Sequence, residues 1–271
     1  MSETLVVKNY YTGYVRKEWR RLIKDAYHRL EFETTLHFMK KHFPRKGLLL
    51  DAGGGPGRYT VTLAQQGYEL VLLDMTPANL DFARRQIKRA KLQHKVKEVV
   101  EGSIIDLSRF DDNTFDGVLC LGGPLSHVLD KRQRARAVSE LIRVAKPGAP
   151  IAMSVMSRLS LLVVELTMFP EEVTMPHYQQ LLNTGDYLGQ YGFTACHFFL
   201  PEEFRAMFDK AGAEVLTMVG LEGISSSHRA ALNSIARDEP RWKVWRDTHF
   251  KTCTHPAVVG ISEHMLIVAQ K

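Results

Sequence analysis

A short apolar run that ends in an acidic residue and breaks at once into glycines constrains this 271-residue chain more than any other feature: Gly47 to Gly57 reads Gly-Leu-Leu-Leu-Asp-Ala-Gly-Gly-Gly-Pro-Gly. Leu48, Leu49 and Leu50 do not alternate with polar residues, so the run predicts a strand buried on both faces. The glycines lack a Cβ, which lets the backbone turn sharply and approach a ligand closely. Arg58 to Gln66 has helical composition and stops at Gly67. The turn therefore lies at the carboxyl end of a strand and the amino end of a helix, where nucleotide-like ligands bind in an open α/β sheet.

Three kinds of glycine turn fit such a position. A Walker phosphate loop closes with Gly-Lys-Ser or Gly-Lys-Thr, whereas this turn closes with Pro56-Gly57-Arg58-Tyr59. A dinucleotide fingerprint needs G-x-G-x-x-G; counted from Gly53 and Gly55, its third glycine would fall on Arg58. The pattern that remains is Asp51-x-Gly53-x-Gly55-x-Gly57, with Gly54 inside it. It resembles the first motif of the class I S-adenosylmethionine-dependent methyltransferases. The resemblance implies that the turn packs against the methionine part of that cofactor, which carries no phosphate.

Four further stretches extend the resemblance in order. Glu69 to Leu73 is a second apolar strand ending in Asp74, where a carboxylate can accept hydrogen bonds from both ribose hydroxyls; Met75 follows it. Val96 to Val100 leads into Glu101-Gly102-Ser103-Ile104-Ile105-Asp106. The family commonly has an acidic residue where Ser103 stands, to meet the adenine amino group, so this chain departs there. Asp106 reads as a turn or helix cap. Phe115 to Leu121 is a fourth strand, followed by Gly122-Gly123-Pro124-Leu125-Ser126-His127. Leu141-Ile142-Arg143-Val144-Ala145-Lys146-Pro147-Gly148 closes a helix before a fifth strand, Pro150 to Val155, and is also typical of the family. The resemblance is close from Leu48 to Val155 and loose elsewhere. It implies a cofactor site of Asp51, Gly53, Gly54, Gly55, Gly57, Asp74, Met75, Gly102, Ser103, Ile104, Leu121 and Gly122.

The resemblance implies an α/β fold: a doubly wound, mostly parallel seven-stranded sheet, last strand antiparallel, with helices on both faces. Residues 1–45 read as a helical cap, 46–156 as the cofactor-binding core, 157–195 as a lid insertion and 196–271 as the rest of the sheet. Trp19, Leu22, Ile23 and Tyr27 recur at helical spacing within the cap. Phe204, Met207, Phe208 and Ala211 share one face of a helix opened by Pro201. Ala213 to Val219 and Met265 to Ala269 supply the last two strands.

No window approaches the ~20 apolar residues that cross a bilayer, and Met1 to Tyr10 has no signal-peptide core. Cys120, Cys196 and Cys253 have no paired spacing, as suits a reducing compartment. These features predict a cytoplasmic protein. His249, Cys253 and His255 lack a nearby fourth ligand and any Cys-x-x-Cys, so no metal is expected. The formal charge is +6. Its basic runs are spread over several helices and are not gathered with aromatic residues, which argues against nucleic acid as the main partner.

Methyl transfer from a sulfonium needs alignment above all, and a base only where the nucleophile must lose a proton. The resemblance bears on the loop after the fourth strand. Amino-group methylases place Asn or Asp before Pro-Pro and an aromatic residue there, and this chain has Gly122-Gly123-Pro124-Leu125 instead. That departure disfavours exocyclic amino methylation, and the same loop lacks the acidic ligands of metal-dependent catechol methylation. His127 is the candidate base. His197 and His177 are weaker candidates, and His197 reads as a core residue. Tyr10, Tyr11 and Tyr14 form an aromatic group in the cap, and the resemblance implies that Tyr11 or Tyr14 closes over the cofactor. Glu31 and Glu33 could face the pocket, but charged helix residues usually face water, which is the expectation here. The apolar lid side chains Met153, Met156, Leu161, Leu162, Met168, Met175, Tyr187 and Tyr191 would, if turned inward, make the acceptor apolar or aromatic. The expected partner is a small organic acceptor, the cofactor leaving as S-adenosylhomocysteine. An RNA or protein acceptor, and a non-catalytic cofactor-binding module, remain as alternatives.

Overall fold

The computed structural model describes residues 3–190 and 192–271; Met1, Ser2 and Tyr191, including the reading of Tyr191 as a lid residue, lie outside the described residues. The chain opens with helices α1 (Glu3–Arg21) and α2 (Ala26–His42). Alternating units follow: β1 (Leu48–Ala52), α3 (Arg58–Gln65), β2 (Glu69–Asp74), α4 (Pro77–Arg89), β3 (Val96–Glu101), β4 (Gly117–Cys120), α5 (Lys131–Val144) and β5 (Pro150–Met156). Next come α6 (Arg158–Met168), α7 (Pro176–Thr184), and two short strands, β6 (Asp186–Tyr187) and β7 (Cys196–His197). The chain then forms α8 (Pro201–Lys210), β8 (Glu214–Gly220), α9 (Arg229–Ile235), α10 (Glu239–Thr252), α11 (Pro256–Ile261) and β9 (His264–Gln270).

Seven strands make one sheet in the order β3-β2-β1-β4-β5-β9-β8. The first five run parallel, and β9 is antiparallel to both β5 and β8. The unbroken apolar runs explain why: β1, β4 and β5 are buried on both faces, as central parallel strands are. On one face Ala137, Val138 and Leu141 of α5 pack with Phe204 and Phe208 of α8. On the other, Phe38 and Met39 of α2 join Leu63 of α3 and Leu80, Ala83 and Ile87 of α4. Each fully buried Leu or Phe contributes about 2 kcal/mol, so these two layers hold the strand ends rigid where the sheet order reverses between β2-β1 and β4.

The expected cap is two helices, broken at residues 22–25, where Asp25 accepts the His28 amide at 3.0 Å and starts α2. At that break Leu22 turns inward while Ile23 is exposed. Between β5 and α8 the chain leaves the sheet to form α6, α7 and the β6-β7 ribbon, in which Asp186 faces His197 and Tyr187 faces Cys196. Among the described residues no helix is long and apolar enough to cross a membrane.

Candidate active site

The register of β1 on β2 sets Ala52 beside Leu73. The chain can then turn over the end of β2, where the amides of Gly53 and Gly54 donate to the Leu73 carbonyl at 2.7 and 3.2 Å. Gly53 has φ +74°, and a Cβ there would stand 2.6 Å from Cγ of Pro124. A Cβ on Gly54 would fall 2.5 Å from the Asp51 carboxylate. Neither position admits a side chain. The Gly55 amide donates to Oδ2 of Asp74 at 2.9 Å, so the carboxylate one βα unit later also holds the glycine turn. Oδ1 of Asp74 accepts from the Thr76 amide at 2.8 Å and from Asn79 Nδ2 at 3.2 Å. Burial pushes the Asp74 carboxyl up, against the pull of these donors.

A cavity opens over this turn at the carboxyl ends of β1 to β4. Gly53, Gly54, Gly55, Asp74, Met75, Gly102, Ser103, Ile104, Leu121, Gly122, Tyr11 and His127 all line it. Three expected site residues do not. Asp51 is fully buried beneath the turn and accepts the Thr60 hydroxyl at 2.6 Å. Burial pushes its pKa up to about 6, opposed by the Thr60 bond and helped by the nearby Asp74 charge. Gly57 is the left-handed N-cap of α3, packed near Ala83. Tyr14 faces the neighbouring cavity described below. Asp106 accepts the Ser108 amide at 3.1 Å, which is the turn role expected of it.

Sequence reasoning missed Asn79 and Arg21 as lining residues. Asn79 is buried, and its Oδ1 has no hydrogen-bond partner among the described residues. Position 79 lies in the first turn of α4, five residues past Asp74, so the signal was its spacing from that carboxylate. Arg21 ends α1 and donates through Nε to Glu18 at 3.0 Å and through Nη1 to Glu31 at 2.5 Å. Its Nη2 hangs over Gly122, where an added Cβ would stand 3.4 Å away. Arg58, the other cation on the lining, stacks on the Trp19 ring at 3.6 Å and donates to the Trp19 carbonyl.

A second cavity, about 720 Å³, adjoins the first. Tyr11, Glu18, Arg21, Gly122 and His127 line both. At this junction the Tyr11 hydroxyl lies 2.8 Å from Nε2 of His127, and Nδ1 of His127 lies 3.1 Å from the Ala195 carbonyl. A carbonyl only accepts, so Nδ1 carries the proton and Nε2 accepts from Tyr11. Burial lowers the His127 pKa and raises that of Tyr11 well above its usual value, so the pair is neutral near pH 7. Tyr10 stacks on Tyr14 with ring centroids 5.3 Å apart and meets Phe193 edge-on at 5.5 Å, forming an aromatic wall.

Glu31 corrects the expectation that it faces water. It is buried and borders the second cavity. Burial pushes its carboxyl up, but Arg21 and His264 outweigh that and hold it below the usual range. His264 lies 2.7 Å from Glu222 and 4.0 Å from Glu31. Against the cost of burial these carboxylates raise its pKa to about 9, so it is protonated. Among the described residues Glu31, Glu222 and His264 are the grouping whose ligand atoms could surround a metal ion; Arg21 and protonated His264 already supply positive charge there. Glu33 pairs with Arg246 at 3.4 Å and lies apart from both cavities. His249 Nε2 meets the Thr34 hydroxyl, Cys253 donates to the Phe250 carbonyl, and His255 caps α11, so the other grouping weighed for a metal is taken up by internal contacts.

The weaker histidines are tied into the lid. His197 on β7 bonds Asp186 at 2.6 Å and Glu203 of α8 at 2.9 Å, so the buried position expected of it is held by two carboxylates as well as by packing. His177 bonds Glu172 at 2.7 Å. Of the apolar lid side chains, Met156, Leu161 and Tyr187 line the second cavity, Leu162 packs beside them, Met153 is buried in the sheet, and Met168 and Met175 are exposed.

Residues 49–148 match the model of a methyltransferase domain family. Over 129 residues the chain is 28% identical to a glycine/sarcosine N-methyltransferase of Parasynechococcus marenigrum, covering 47% of this chain and 44% of that protein. Over 110 residues it is 31% identical to a ubiquinone biosynthesis O-methyltransferase of Alkalilimnicola ehrlichii, covering 41% of this chain and 42% of the other. The chain thus spans less than half the length of these two relatives. Among solved structures it resembles an S-adenosylmethionine-dependent methyltransferase of Methanosarcina mazei (TM-score 0.60, 18% identity, 86% of this chain and 96% of that one). It also resembles the 1,6-didemethyltoxoflavin-N1-methyltransferase of Burkholderia thailandensis, crystallised with its acceptor and S-adenosylhomocysteine (TM-score 0.58, 14% identity, 98% and 88% covered). Residues 49–148 thus carry a methyltransferase domain, and the strand order and glycine turn give the chain the fold of the S-adenosylmethionine-dependent methyltransferases it resembles.

Proposed function

We propose that this chain transfers a methyl group from S-adenosylmethionine to a small organic acceptor. The observation that carries the reading is the pair of adjoining cavities that share Tyr11, Gly122 and His127. The first has the groups that the cofactor requires. Asp74 and the unpartnered Oδ1 of Asn79 are acceptors suited to ribose hydroxyls, and Arg21 Nη2 is a donor suited to a carboxylate. Ser103, or its backbone, and Ile104 would border the adenine, with Met75 and Leu121 as apolar walls.

Bound there, S-adenosylmethionine would supply an electrophilic methyl group together with its own leaving group, the neutral thioether. The chain's own residues align the acceptor and handle its proton. Nε2 of His127 is already bonded to the Tyr11 hydroxyl. His127 would therefore act through Tyr11: the tyrosine oxygen takes the acceptor's proton while its own passes to Nε2, leaving an imidazolium bonded through Nδ1 to Ala195. A nucleophile that needs no deprotonation would use the pair only for orientation.

The walled second cavity supports a small acceptor over RNA or protein, and it is also what a non-catalytic module would not need. The cytoplasm is the compartment suited to three buried, unpaired thiols. Calorimetric titration with S-adenosylhomocysteine, followed by an acceptor screen with methyl-labelled cofactor, tests the reading. No binding of the homocysteine product by the wild-type chain would remove it.

A further inference from the structure

The second cavity is built from apolar and aromatic walls, yet its charge is lopsided. Glu18, Glu31, Glu165, Glu172 and Glu263 line it against two positive groups, Arg21 and His264. Those two face Glu18, Glu31 and Glu222 at salt-bridge distance, so they neutralise residents and leave little for an incoming anion. His28 is held by Asp25 at 2.7 Å, and Glu172 by His177 at 2.7 Å. Tyr27 donates to Glu263 at 2.8 Å.

Glu165 has no such contact. It lies on the face of α6 that lines the cavity together with Ser160, Leu161 and Val164. Glu165 is 9% exposed, and its Oε2 has no hydrogen-bond partner among the described residues. Ser160 is 1% exposed, and its Oγ also lacks a partner among them. Two oxygens left unpaired on one cavity wall are costly unless something bonds to them. None of these α6 residues borders the first cavity, so this wall stands outside the chamber assigned to the cofactor. Tyr10, Tyr14, Phe169 and Phe193 supply ring faces in the same chamber, and such faces attract a cation.

Resting on the reading of this chamber as the acceptor site, we propose that the acceptor is an amine-bearing aromatic or aliphatic molecule whose positively charged nitrogen is held by Glu165 and Ser160. The atom that receives the methyl is a second group presented at Tyr11 and His127. An ammonium can donate to these oxygens and offset the excess of carboxylates; a neutral donor supplies the hydrogen bond without the charge, and an anion without a donor supplies neither.

The test uses the full chain saturated with S-adenosylhomocysteine. Phenethylamine, tyramine and tryptamine are titrated in, beside their N-acetyl derivatives and 3-phenylpropanoate. A charge-assisted hydrogen bond predicts at least about tenfold tighter binding of an amine than of its N-acetyl form. Glu165→Gln, which keeps size and helix propensity, should erase that preference, and Ser160→Ala should weaken it, while S-adenosylhomocysteine affinity stays as in wild type. Failure of every amine to bind at millimolar concentration, equal or tighter binding of the acetylated or carboxylate probes, or a preference that survives in Glu165→Gln would each overturn the proposal. If the homocysteine product itself does not bind, the underlying reading fails instead.

Discussion

The hydroxyl of Tyr11 on α1 and Nε2 of His127, beyond β4, meet at 2.8 Å across 116 positions of sequence. Tyr11→Phe and His127→Ala should each lower kcat by about 10²-fold if the acceptor must lose a proton. As the proposed base, His127 would work only when neutral, and burial has lowered its pKa. The rate should therefore stay flat through neutrality and fall only as pH drops through a value below the ordinary histidine range. A pH profile of kcat/KM checks this; full turnover by His127→Ala over the whole range would sink the assignment.

Asp74 has two tasks, since it receives the Gly55 amide and faces the cavity. Asp74→Asn should weaken S-adenosylhomocysteine binding by about tenfold or more, the value of a charge-assisted bond. Asp74→Ala should also lower the melting temperature, because the glycine turn and the Thr76 amide lose their acceptor. Calorimetry and thermal melts on the two variants separate these effects.

The Glu31–His264–Glu222 cluster should make stability depend on alkaline pH. A histidine raised from 6.5 to about 9 on folding contributes stability that is complete below 6.5 and is lost as pH rises through about 9. A shift of that size corresponds to on the order of 3 kcal/mol. Melting temperature against pH should thus decline between these two values in the wild type, and more weakly in His264→Gln.

Glu203 joins the lid to the sheet layer through His197 at 2.9 Å, Arg158 at 3.3 Å and Arg134 at 3.8 Å. Removing it leaves two largely buried guanidinium groups without their carboxylate. Glu203→Ala should cost about 3 kcal/mol and raise the acceptor KM more than it changes cofactor affinity. A denaturant melt paired with steady-state kinetics reads both.

Much of this was legible in the residue string, for local reasons. The run Leu48 to Leu50 and the following glycines fix a strand, a turn and a helix within about ten residues, and Asp74 follows one unit later. What could not be read depends on contacts between distant segments. Glu31 looks like any charged helix residue until Arg21 and His264 are brought beside it. Asp51 belongs to the glycine motif, yet the pleat turns it under the sheet toward Thr60, while the turn itself faces the cavity. The His197 ion pairs need a two-residue ribbon too short to leave a period.

Three side chains of α1, namely Tyr11, Glu18 and Arg21, wall both chambers at once. Whatever seats that helix for one guest also trims the door for the other. With cofactor and acceptor in these chambers as proposed, any coupling between the two occupancies must be reciprocal: an acceptor should raise the affinity for spent cofactor by the same factor by which that cofactor raises the affinity for the acceptor.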